Sequence, residues 1–178
     1  MVVVGLDPGL RVTGYGVVRA SAEGSVLQEA GVIRTSGGTL QARLVQVYAD
    51  VVGLLCEFRP DLVALEDVFS HTRFPQAAIS MAHVRGVLCL AASVAGVPVQ
   101  AIAPAAVKQA VCGNGRAPKA QVQAAVRTLL GVRGRLDSHA ADALALATTV
   151  LRRRGFGGGW GTGGEVGPGP GLKAVTDR

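Results

Sequence analysis

The chain has 178 residues, 49% of them hydrophobic, and a mean hydropathy of +0.37; it is long enough for one core and too apolar for a disordered protein. Lys and Arg number 18 against 12 Asp and Glu, a formal net charge of +6, and 15 of the 18 are Arg. Planar guanidinium groups meet phosphate bidentately, so this bias points to phosphate-bearing partners, with a mildly basic surface as the plain alternative. In chain order, Val2–Asp7 is a continuous apolar run closed by an acid and Pro8, which predicts a buried strand. Residues 13–19 and 25–34 are β-branched segments split by Glu23-Gly24, a hairpin pattern. Leu44, Val47, Val51, Leu54, Leu55 and Phe58 recur at helical spacing and predict a helix over Leu40–Phe58, broken by Arg59-Pro60-Asp61. Leu62–Glu66 is a second short apolar strand that ends in an acid. Pro75 opens a helix that runs to about Ala95, with Gly96 as its stop. A strand over 97–102, a short helix over 104–111 and a turn at Gly113-Asn114-Gly115 follow, then helices over 118–130 and 137–153, with Asp137 as N-cap. Three meandering strands followed by β-α-β units predict an α/β fold: a mixed five-stranded sheet flanked by helices on both faces.

Composition breaks after Arg154. Residues 155–178 hold 10 of the 25 glycines, with Pro168 and Pro170. Such a segment buries too little apolar surface to offset its ordering entropy, so a folded body over 1–154 and a flexible Gly-rich tail over 155–178 are expected. Phe156 and Trp160 are either anchors for a partner or disordered aromatics. Cys56, Cys89 and Cys112 lack C-x-x-C spacing, so no zinc site or disulfide framework is expected, and each reads as a small core hydrophobe. The first residues lack the basic start of a signal peptide, and no apolar run reaches the roughly 18 residues of a membrane helix. A cytoplasmic location is expected.

The acids carry the chemical signal. Asp7 and Glu66 each end an apolar strand, and ligands of open α/β sheets bind at the carboxyl ends of strands. Asp142 lies in an apolar helical stretch of Ala and Leu, where a carboxylate is costly unless paired, protonated or metal-bound. His139 precedes it by three residues and shares its helix face. Three carboxylates brought together repel one another. A divalent cation removes that cost, and two such ions roughly 3.5–4 Å apart can hold a phosphodiester and activate a water. Each acid alone reads equally well as a cap or a solvent-facing carboxylate; two strand ends and one buried helix together weaken that reading.

The segments Asp7-Pro-Gly-Leu-Arg-Val-Thr-Gly-Tyr-Gly16, Glu66-Asp-Val-Phe69, Arg85-Gly86, Val107-Lys-Gln109, Lys119-Ala-Gln-Val-Gln123 and Ala140-Ala-Asp-Ala-Leu-Ala145 resemble the bacterial Holliday-junction resolvase family RuvC. The resemblance covers residues 1 to about 153, and six motifs in order are specific where each alone is weak. It implies an RNase H-like fold, a homodimer, and nicking of two opposed strands of a four-way DNA junction in recombination and repair. It also implies dependence on Mg²⁺ or Mn²⁺, two ions per site, and partnership with the branch-migration proteins RuvA and RuvB. The family's catalytic and metal-binding acids fall on Asp7, Glu66 and Asp142. The fourth position falls on His139, where members carry Asp or His; a first-turn histidine beside an N-cap is the bland alternative.

By the same resemblance Phe69, Arg73, Phe74, Lys108 and Lys119 are DNA contacts, Phe69 by stacking on an unpaired base and the lysines by meeting phosphate. A core Phe and solvated lysines are the competing readings. Gly14 and Gly16 either let DNA backbone approach or ease hairpin packing. The helix over 76–95, with Ala77, Ala78, Ser80, Ala82 and Gly86, is assigned by the resemblance to the dimer interface, though an intrachain contact fits as well. Three rivals remain at this level: an RNase H-like nuclease acting on structured RNA, a nucleotide-binding ATPase domain, and a junction-binding module without activity.

Overall fold

Ten elements build the described part of the chain, residues 1–67 and 75–156 of the computed structural model: β1 (Val2–Asp7), β2 (Val12–Ser21), β3 (Gly24–Arg34), α1 (Leu40–Phe58), β4 (Leu62–Glu66), α2 (Pro75–Val94), β5 (Val99–Ile102), α3 (Pro104–Cys112), α4 (Lys119–Leu129) and α5 (Ser138–Arg153). The five strands form one sheet in the order β3-β2-β1-β4-β5. β1 pairs antiparallel with β2 and parallel with β4, and β4 pairs parallel with β5. The sheet is therefore mixed, as the strand pattern predicts.

Side chains alternate across the sheet. Val3, Val18, Leu62, Ala64 and Ile102 pack with Val107, Val122, Val126 and Leu144 from α3, α4 and α5. Val4, Leu6, Val17, Val63 and Leu65 pack on the other side with Val47, Val51 and Leu55 of α1 and Val84 and Leu88 of α2. The same parity governs the acids. Val3 and Asp7 share one face of β1, and Leu62, Ala64 and Glu66 share the matching face of β4. Both strand-end carboxylates thus belong to the face covered by α5. The register runs from Val3↔Leu62 to Leu6↔Leu65, so Asp7 and Glu66 fall side by side at the next step.

Three glycines let α5 come close to that face. A Cβ at Gly5 would lie 1.9 Å from the Ala143 carbonyl oxygen, one at Gly14 2.2 Å from that of His139, and one at Gly16 2.6 Å from the Leu144 side chain. Gly14 and Gly16 thus seat a helix against the hairpin. Gly14→Ala is expected to cost about 1–3 kcal/mol by overpacking, seen as a fall of several degrees in melting temperature. An unchanged melting temperature would show that α5 does not need this trough.

Local chemistry sets the element ends. Thr39 caps α1 by accepting the Ala42 N–H at 3.2 Å. The hairpin strands run longer than predicted, because Ala22 and Glu23 alone make the turn. β5 starts at Val99 rather than 97: the Val97 N–H closes the end of α2 on Ala92, and Pro98 has no N–H to give. At the end of α5, Gly155 adopts φ +84° and its N–H bonds Arg152, while the Phe156 N–H bonds Leu151. That is a Schellman cap, so these two residues belong to the helix end.

Cys56 corrects a sequence expectation. It is exposed, one position past the buried pair Leu54 and Leu55 on the outer side of α1, while Cys89 and Cys112 are half-buried. On α2, Ile79, Leu90 and Val94 are 50%, 55% and 64% exposed and recur on one outward stripe. Among the described residues, no helix is long and apolar enough to cross a membrane.

Candidate active site

Asp7 and Glu66 close β1 and β4 on the face that α5 covers. Asp137 caps α5, its Oδ1 accepting the His139 N–H at 2.8 Å, and so orients the first turn over the strand ends. His139 Nδ1 lies 2.7 Å from Asp7 Oδ2. One turn on, Asp142 takes the Lys119 ammonium at 2.5 Å on Oδ2. Gln123, one turn beyond Lys119 on the same face of α4, donates to Asp142 Oδ1 and to the Ser138 carbonyl, each at 3.4 Å. Behind β4, Arg85 of α2 donates to the Glu66 carbonyl at 2.5 Å and lies 3.8 Å from Asp67.

Burial and like charge dominate the electrostatics. Burial raises the Asp7 carboxyl above its ordinary range; the hydrogen bond with His139 pulls the other way, and the Asp142 charge adds to the rise. Burial likewise raises Glu66, with Asp7 and Asp142 adding to it. The hydrogen bond to Asp142 raises Lys119, supported by the charges of Asp7 and Glu66. The four acid and base groups thus share one field.

The two raised carboxyls mean that the folded chain holds these protons more tightly than the unfolded chain. Stability falls as pH rises from the ordinary carboxyl range through the raised values, and the deficit is complete above them. Glu66→Gln should therefore raise the melting temperature of the metal-free protein at neutral pH, at about 2–4 °C per kcal/mol recovered. The gain should vanish in acid, where Glu66 is protonated anyway. A lower melting temperature at neutral pH would show that this carboxylate stabilises the fold.

Three carboxylates and one imidazole suit a divalent cation of the Mg²⁺ or Mn²⁺ kind, by hard oxygen donors with one nitrogen. The mutual repulsion of the acids is the cost such a cation relieves. Among the described residues, no three His, Cys, Asp or Glu side chains converge into a ready-made cage. Asp7 instead faces His139 and Asp142 faces Lys119. The residues fit the cation by charge and donor chemistry.

Of the expected DNA contacts, Lys119 stands at the acids. Lys108 lies on α3 with no side-chain partner among the described residues. Phe69, Arg73 and Phe74 lie outside the described residues. Two supporting residues, Gln123 and Arg85, stand in motifs of the resemblance to which the sequence assigned no role. Gln123 was legible from its i, i+4 spacing to Lys119. The role of Arg85 was not, because its acceptor is a backbone carbonyl on another element.

The sequence matches the profile of the family described as crossover junction endodeoxyribonuclease RuvC over residues 3–150. It is 43% identical over 147 residues to the crossover junction endodeoxyribonuclease RuvC of Rhodopirellula baltica, covering 82% of this chain and 83% of that one. The structure is similar to that of Thermus thermophilus RuvC, with a TM-score of 0.78 and 39% identity over 88% of this chain and 98% of that one. It also resembles T. thermophilus RuvC in complex with Holliday junction substrate, with a TM-score of 0.79 and 39% identity over 88% and 97% of the two chains.

Proposed function

Because this chain belongs to the RuvC family of crossover junction endodeoxyribonucleases, we propose that Asp7, Glu66, His139 and Asp142 are the groups with which it hydrolyses DNA strands at a four-way junction. The fold is RNase H-like, and resolution of Holliday junctions in recombination and repair is the activity. The reading on structured RNA is not favoured. One observation supports the site assignment above others: strand parity and a glycine trough put two strand-end acids against a helix that presents an imidazole and a third acid.

Two divalent ions, Mg²⁺ or Mn²⁺, would be held by the three carboxylates and His139, and would supply charge neutralisation and a water acidic enough to lose its proton and so attack phosphorus. Asp7 orients the His139 ring through Nδ1. Gln123 and Lys119 hold Asp142, and the Lys119 ammonium offsets one carboxylate while attracting a phosphate. Arg85 steadies the strand end that carries Glu66. Phe69, Arg73, Phe74 and Lys108 complete the DNA-contacting set in this reading.

A homodimer fits the paired incisions. The outward stripe of Ile79, Leu90 and Val94 on α2 offers an apolar face that a two-fold partner would cover. Each copy then cuts one of two opposed strands, and RuvA and RuvB are the expected partners on the junction. In this reading the nuclease domain extends past the expected boundary at 154 to take in Gly155 and Phe156, which close α5, and 157–178 are an appended tail.

The direct test incubates the protein with a synthetic mobile four-way junction, and with a structured RNA, with and without Mg²⁺ or Mn²⁺. Paired nicks in the junction only with metal are expected; cleavage confined to RNA would overturn the reading. Phosphate contacts also make binding salt-dependent. Lys119→Ala should flatten the slope of log affinity against log salt by about one unit. An unchanged slope would remove Lys119 from the DNA.

A further inference from the structure

Between Asp67 and Asp137 the chain contains no Asp or Glu, while Lys108, Arg116, Lys119, Arg127, Arg133 and Arg135 fall within its second half. α4 organises part of that surface. Lys119 and Gln123 are engaged at Asp142, and Arg127 continues the same helix face four residues on. Arg127 donates to the Gly134 carbonyl and so ties the α4–α5 connection back against α4. Gly131 and Gly134, at φ +61° and +85°, supply the left-handed turns this return needs. Arg127, Thr128, Gly131 and Arg133 border an open groove of about 480 Å³. Arg133 and Arg135 are exposed, and their side chains have no hydrogen-bond or ion-pair partner among the described residues. The nearest acid in sequence, Asp137, is already engaged as the cap of α5 and with Arg34 at 3.4 Å.

We propose that the α4–α5 connection is a second phosphate grip, in which Arg133 and Arg135 hold the backbone of one junction arm away from the cleavage point. The inference rests on the active-site reading above. The Arg127–Gly134 bond holds Arg133 and Arg135 beside the end of α4, and Lys119 to Arg127 is eight residues, about 12 Å at 1.5 Å per residue. A DNA strand carries one phosphate per roughly 3.4 Å of duplex axis, so the grip falls about three to four phosphates from the scissile one. Unpaired, forked guanidinium groups beside an acid, Asp137, that is already engaged elsewhere suit that ligand, and continuity with Lys119 selects DNA over an acidic protein.

The test is a cycle between protein and DNA, read by junction binding in metal-free buffer over a salt series. The full-length protein and its double variant Arg133→Gln/Arg135→Gln are compared on two junctions. One is all-phosphate, and the other carries neutral methylphosphonates at the third and fourth linkages from the cleavage point, placed on each side in turn. The double variant should flatten the salt slope by about 1.8, at 0.9 per phosphate, with an unchanged melting temperature. On one side the methylphosphonates should flatten the wild-type slope as much and add nothing to the variant. A wild-type slope in the variant, or losses that simply add on both sides, would overturn the proposal. Lys119→Ala separates the two readings: its loss should persist on the methylphosphonate junction. If Lys119→Ala leaves every slope unchanged, Lys119 is off the DNA while the arm cycle still reports on Arg133 and Arg135; normal cleavage by Asp7→Asn is the separate result that would sink the active-site reading.

Discussion

Asp7→Asn, Glu66→Gln and Asp142→Asn are each expected to cut junction cleavage by more than about 100-fold while junction binding holds or tightens. Loss of an outer partner of a metal site already costs about 10–100-fold, and a ligand itself should cost more. Each exchange keeps shape and removes one negative charge from a group in which burial and neighbouring charge already raise Asp7 and Glu66. All basic residues between Asp67 and Asp137, which the proposed DNA surface uses, are retained, and Asp142→Asn only frees Lys119 from its ion pair, so affinity has no reason to fall. Paired gel assays of cleavage and of metal-free binding measure both quantities on the same junction. Near-normal cutting by any one variant would take that residue out of the site. Weakened binding in all three would mean the acids support the DNA surface instead.

His139 should set the metal preference, with faster cleavage in Mn²⁺ than in Mg²⁺ at equal concentration. Against an ionised Asp7, which can only accept, Nδ1 of the ring must donate, and the lone pair is left on Nε2. A nitrogen ligand is better tolerated by Mn²⁺ than by Mg²⁺, which favours oxygen and gives up water reluctantly. His139→Asp restores an oxygen ligand and should narrow the rate ratio between the two ions. His139→Ala should lower cleavage about 10–100-fold or more with either ion. Equal ratios in wild type and His139→Asp would show that His139 does not set the preference, and normal cutting by His139→Ala would remove it as a ligand.

Arg85 and Cys56 show where local reading stops. Arg85 sits in a helix whose sequence is apolar nearly throughout, and its place behind Glu66 follows from how α2 lies on the sheet. Cys56 follows the apolar pair Leu54-Leu55 in sequence, yet faces outward because the buried stripe of α1 runs through Val47, Val51, Leu54 and Leu55. The resemblance named the four residues of the candidate site from motifs, but their grouping depends on packing.

What the residues determine by themselves is order, spacing and parity. Apolar runs closed by Asp7 and Glu66, helical periodicity over Leu40–Phe58, and breakers at Pro60, Gly96 and Gly113 specify the sequence of strands and helices. They do so because those signals act within a few residues. Alternation then determines that the two strand-end acids share a face once β1 and β4 pair in register. Only the tertiary structure decides which partner each polar group takes. His139 meets Asp7 across 132 residues, Lys119 turns to Asp142, and Gly5, Gly14 and Gly16 seat α5. The physical reason is that these contacts depend on how closely one helix approaches one sheet, a distance set by interlocking side chains from many segments at once.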